Sequence, residues 1–139
     1  MRGDRLYIDT SAYLCVLLGE PEWPRIEVQL RDSHRLSSVL LALEAERTLV
    51  HLSRSGRLST VDLQVAFERL AEDIEAFTLR AVSLDLSTSR VVPLVTTPRS
   101  LDLAHLRTAL WFHQQEPLTR FVSLDTAQTQ AARELGLPV

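Results

Sequence analysis

The stretch RLYIDTSAYLCVLLG, residues 5–19, decides how the rest of the chain is read. It begins as a short apolar run of strand formers that stops at an acid, Asp9. Thr10 and Ser11 follow, a helix begins at Ser11 or Ala12, and AYLCVLL carries it to Gly19, a residue suited to ending a helix. The same phrase returns near the other end of the chain. RFVSLDT, residues 120–126, reads as a buried strand leading to Asp125, with a helix over 126–135 stopped by Gly136. Each acid therefore leaves a strand beside a helix start, where unpaired backbone amides favour negative charge.

Between these units, 22–32 reads as a helix with Pro24 tolerated in its first turn, and RLSSV at 35–39 as a short strand. LLALEAERTLVHLSRS, 40–55, is a long helix ended by Gly56. Ser59 has the character of an N-cap with Asp62 in the first turn, and the helix over 61–77 places Val61, Val65, Leu70, Ile74 and Phe77 at helical spacing. A strand over 79–84 and a short helix or loop over 86–95, broken around Pro93, lead to the TTPRS turn. Ser100 is expected to cap a helix over 101–115, and LPV at 137–139 to form an edge strand. Strands alternating with helices predict an α/β fold, a parallel sheet of about four or five strands flanked by helices. In such sheets the ligand crevice lies beyond the carboxyl ends of the strands, where Asp9 and Asp125 fall.

The 139 residues suit one compact domain, 1–139. Hydrophobic residues at 45% and charged residues at 24% give the balance of a globular protein, and no apolar stretch approaches the ~20 residues a membrane helix needs. The N-terminal MRGDRLYIDTS lacks a basic segment followed by a long apolar one, which reads as cytoplasmic. A single Cys15 among apolar neighbours is a buried filler, without a partner for a disulfide or a zinc site. The net charge of −3 runs against a phosphate-binding surface, although clustered carboxylates lower it locally and bound cations would invert their field. All 15 basic residues are Arg, whose planar fork grips phosphate bidentately.

Four acids stand out. Asp9 and Asp125 are open between helix capping and a shared carboxylate site, since two like charges at neighbouring strand ends are costly unless a cation or proton intervenes. Asp102 lies in the first turn after Ser100, where dipole complementation is the plain alternative. Glu44 interrupts an apolar helical run whose inward face is read as Leu40, Leu41, Thr48 and Leu52. A carboxylate there is either paired and partly buried or directed into a cleft, and periodicity alone does not choose between Glu44 and Glu46. His34, His51, His105 and His113 are too scattered for an acid and base pair, and His105 reads as a packed, hydrogen-bonded structural residue. No Gly-rich phosphate loop is present. Trp23, Trp111 and Phe112 read as core or interface residues, and Arg47, Arg99 and Arg120 as surface arginines able to reach phosphate. The segment 20–32 covers the core or offers an apolar groove to a partner.

The order YIDTSAYL, SSVLLALEAER, RSLDLAHLRTAL and FVSLDTAQTQAARELGLPV resembles the PIN-domain ribonucleases, most closely the VapC-type toxins of toxin-antitoxin pairs, over nearly the whole chain. That resemblance implies a magnesium- or manganese-dependent endoribonuclease leaving 5′-phosphate and 3′-hydroxyl ends. Its acid quartet falls on Asp9, Glu44, Asp102 and Asp125, with Arg47 after the acid selecting Glu44 over Glu46 and with Ser11 as a supporting hydroxyl. It further implies an RNA substrate, a cognate antitoxin protein and a homodimer. Arg107 stands where the family often has a small residue, and Thr126 where a basic one is common. A catalytically silent PIN-like RNA- or protein-binding module is the alternative.

Overall fold

The computed structural model describes residues 3–90, 94–97 and 99–139. Four strands, β1 (Arg5–Ile8), β2 (His34–Ser38), β3 (Thr78–Arg80) and β4 (Arg120–Val122), form one sheet in the order β3-β2-β1-β4 with every pairing parallel. The helices are α1 (Thr10–Leu18), α2 (Trp23–Leu30), α3 (Leu40–Arg54), α4 (Thr60–Ala76), α5 (Leu84–Thr88), α6 (Ser100–Gln115) and α7 (Thr126–Glu134). Successive strand residues face opposite sides of a sheet, and both sides are covered here. Leu6 and Ile8 enter a hydrophobic cluster built with α1, α2, α3 and α4, including Tyr13, Ile26, Leu41, Leu49 and Leu70. Tyr7 between them points into a second cluster with Leu36, Leu106, Phe112, Phe121 and Ala132. Tyr7 pairs in register with Phe121 and stacks on it at 5.4 Å between ring centroids.

The chain steps outward from β1 to β2 and β3, then returns to place β4 on the other side of β1. The direction of winding thus reverses between β1 and β4, and beyond their carboxyl ends such sheets leave a crevice. The Asp9 amide donates to the Val122 carbonyl at 3.1 Å, which ties the exit of β1 to that of β4.

Several sequence expectations need correction. α6 starts at Ser100 itself, with Arg99 as its N-cap and no side-chain cap bond, because the serine already lies within the helix. Residues 137–139 form no strand, although the Pro138 carbonyl accepts the Phe121 amide at 2.7 Å. The strand expected over 79–84 is only Thr78–Arg80. On α4, Val61 and Val65 are 72% and 57% exposed, because the face that packs carries Ala66 and Leu70 with Leu63, Phe67 and Ile74 partly covered. The buried stripe of α3 is Leu41, Ala45 and Leu49, with Leu40, Thr48 and Leu52 only partly covered. The break around Pro93, and Pro98 of the TTPRS turn, lie outside the described residues.

Candidate functional site

Asp9 joins β1 to α1 and caps the helix from an extended backbone at 5% exposure. Its Oδ1 accepts the Ala12 amide at 3.1 Å and the Ser11 hydroxyl at 2.7 Å. Ser11 Oγ accepts the Leu124 amide at 3.0 Å and lies 3.3 Å from Ser123 Oγ, which itself accepts the Asp125 amide at 3.1 Å. These two hydroxyls knit the exits of β1 and β4 together. Burial pushes the Asp9 carboxyl above the ordinary aspartate range, against hydrogen bonds from Ser123, Ser11 and Ala12 that favour its charged form.

Asp125 repeats the arrangement, with Oδ1 accepting the Ala127 and Gln128 amides at 2.9 and 3.1 Å. The capping role weighed from sequence is therefore real at Asp9 and Asp125, and both residues also line the cleft described below. Asp102 sits in the first turn of α6, and buried Gln128 of α7 donates to its carbonyl at 2.8 Å. Burial raises the Asp102 carboxyl, the charge of Asp125 raises it further, Arg99 pulls the other way and Glu44 adds to the rise.

Glu44 projects from α3 at the edge of the buried stripe, whereas Glu46 is exposed. Its Oε1 accepts the Thr10 hydroxyl at 3.0 Å and lies 2.7 Å from His105 Nε2. His105, 2% exposed, places Nδ1 2.7 Å from the Tyr7 hydroxyl. All four acids line one cleft of about 650 Å³, together with Ser11, His105, Arg47 and Arg99. The remaining histidines are elsewhere: His34 opens β2, His51 is exposed, and His113 Nδ1 accepts the Leu118 amide at 3.0 Å. Arg120, at the start of β4, donates to Gln29 Oε1 at 3.1 Å and is not part of the cleft lining. Trp111 lies edge-on to Phe112 and beneath the Arg80 guanidinium, 4.2 Å from its ring centroid. Arg107 binds the carbonyls of Leu86, Ser87 and Ser89 around the end of α5, a structural task.

Thr10, Tyr7 and Ser123 are partners of the site that the sequence reading did not single out. Only Ser123 had a local signal, a hydroxyl two residues before Asp125 that echoes Ser11 two residues after Asp9. Among the described residues no three His, Cys, Asp or Glu side chains form a ready-made metal cage. The four acids nonetheless suit a hard divalent cation, since they offer it carboxylate oxygens. Burial first, and then the neighbouring charges of Asp125 and Glu44, disfavour the ionised Asp102 carboxyl, a cost that such a cation would relieve.

No family model matches this chain. Ribonuclease VapC35 of Mycobacterium tuberculosis, from strain CDC 1551 / Oshkosh and from strain ATCC 25618 / H37Rv, is similar to it. Each is 30% identical over 134 residues, which cover 96% of this chain and 94% of the relative.

Proposed function

The chain belongs to the VapC-type PIN-domain family, and from that premise we propose that it is a divalent-metal-dependent endoribonuclease, the toxin of a toxin-antitoxin pair. The observation that carries this reading is the convergence of Asp9, Glu44, Asp102 and Asp125 on one cleft, from the ends of β1 and β4, the second turn of α3 and the first turn of α6. Magnesium or manganese bound there would lower the pKa of a water and offset charge on the phosphate undergoing attack. Asp9, Asp102 and Asp125 hold the cation directly or through water, and Ser11 steadies Asp9 through its 2.7 Å bond. Glu44 completes the site or orients the attacking water. Arg47 and Arg99 border the same cleft and supply the positive charge that an RNA phosphate needs in a chain of net charge −3. The chain acts in the cytoplasm as a homodimer and is held inactive by a cognate antitoxin.

The net charge of −3 in a chain whose basic residues are all Arg favours a second reading, a catalytically silent PIN-like RNA- or protein-binding module. One experiment separates the two. Purified protein, free of antitoxin, is incubated with total RNA in magnesium, in manganese and in chelator, beside an Asp9→Asn variant shown to be folded. The nuclease reading expects cuts that require metal and Asp9. Metal-independent cutting, or equal cutting by the variant, overturns the metal site, and RNA binding without cutting establishes the silent module.

A further inference from the structure

Buried histidine beside a cleft carboxylate has two possible consequences: it fills space, or it fixes the carboxylate. The contacts around His105 separate them. A carboxylate oxygen accepts hydrogen bonds and donates none when ionised, so the 2.7 Å approach of Nε2 to Glu44 Oε1 requires the proton to sit on Nε2. In the neutral ring Nδ1 is then an acceptor, and the Tyr7 hydroxyl, 2.7 Å away and fully buried, donates to it. Tyr7 is locked in turn by its stack on Phe121 and by its place in the core between α6 and the sheet. A chain of directed hydrogen bonds therefore runs from the rigid centre of the sheet, through an imidazole, to an acid on a different helix.

We propose that His105 is a positioning residue that orients Glu44 for the reaction, with Tyr7 setting its tautomer. The inference rests on the nuclease reading given above. The physical need is plain: a glutamate has three side-chain torsions, and Glu44, partly exposed at the edge of α3, is held at Oε1 by Thr10 and His105. His105 and Thr10 both act on Oε1, which leaves Oε2 as the oxygen available to a cation or a water. Partners of this kind, behind the residues that hold a metal, orient their ligands and tune them.

The test combines a double-mutant cycle with spectroscopy. His105→Leu should weaken Mn²⁺ binding about 10- to 100-fold and reduce kcat in the same direction, with KM for RNA unchanged. His105→Gln, which keeps a donor in place of Nε2, should recover part of the loss. In a Glu44→Gln background, His105→Leu should cost little more, because its effect passes through Glu44. A loss as large in that background as in the parent overturns the proposal and leaves His105 a packing residue. ¹⁵N NMR of the metal-free parent should show the Nε2–H tautomer, with a resonance that moves on Glu44→Gln, and Tyr7→Phe should disturb the tautomer without unfolding the chain. An Nδ1–H ring, or an Nε2 resonance indifferent to Glu44→Gln, overturns it independently of any activity. A parent that neither binds Mn²⁺ nor cuts RNA overturns the nuclease reading, a result distinct from the NMR outcome.

Discussion

At the scale of single residues, Glu44 and Glu46 lie about 200° apart around α3, and this is enough to give them different surroundings. The helix advances about 100° per residue, so two residues place Glu46 on the far side of α3, where it is exposed, while Glu44 keeps contact with Thr10 and His105. Glu44→Gln is expected to weaken metal binding and RNA cleavage strongly. Glu46→Gln should act as a surface change within about 0.5 kcal/mol of the parent, with cleavage unchanged. Cleavage rates and urea midpoints for both variants check this, and a loss confined to Glu46→Gln would move the site to the other face of α3. Sequence periodicity does not resolve the pair, because LLAL before Glu44 is apolar on nearly every side. The contact that distinguishes them joins positions 61 residues apart, beyond any local pattern. Asp9 and Asp125 were legible because a strand end and a helix start are both local features.

At the scale of elements, legibility follows the range of the forces that define each one. Ser59 is recognisable as the start of α4 because its cap is a bond to a residue three positions on, the Asp62 amide at 3.1 Å. Gly19 closes α1 in the left-handed region at φ 64°, a conformation that glycine adopts without a Cβ penalty. The packed face of α4 was misread at Val61 and Val65, since an amphipathic pattern shows that a helix packs but a valine at its exposed end weighs the same as one inside. Ser100 was misread for a different reason: Arg99 already has the extended backbone of a cap, so the serine falls one residue inside α6. Ser59→Ala should lower stability by about 1 kcal/mol, the usual cost of losing a hydroxyl cap. Its cleavage rate per folded molecule should equal the parent's, because Ser59 does not line the acidic cleft. An unchanged urea midpoint would show that α4 is held by the packing of its buried face and not by this cap.

At the scale of the whole molecule, the reversal of winding between β1 and β4 assembles the carboxylates, and no local pattern states the order β3-β2-β1-β4. Alternating elements foretold a parallel sheet, but the placement of β4 beside β1 depends on long-range packing such as the Tyr7–Phe121 stack. That assembly buries carboxyls, which disfavours their charged forms and sets a pH dependence. Asp9 and Asp102 both have folded-state pKa values raised above the ordinary aspartate value, in each case chiefly by burial. Between the ordinary and the raised values the folded chain binds more protons than the unfolded chain, so this contribution to stability falls as pH rises through that window. Metal-free parent should therefore lose stability relative to Asp9→Asn on going from about pH 4 to about pH 7, because the amide cannot ionise. Adding Mg²⁺ or Mn²⁺ at the upper pH should restore the parent, by about 2.7 kcal/mol at a hundred times the dissociation constant, and should restore the variant far less. Urea denaturation of both proteins, in chelator and in metal, reads each of these changes. If the two proteins keep a constant stability difference across that range, Asp9 carries no penalty of buried charge in the fold for a cation to relieve.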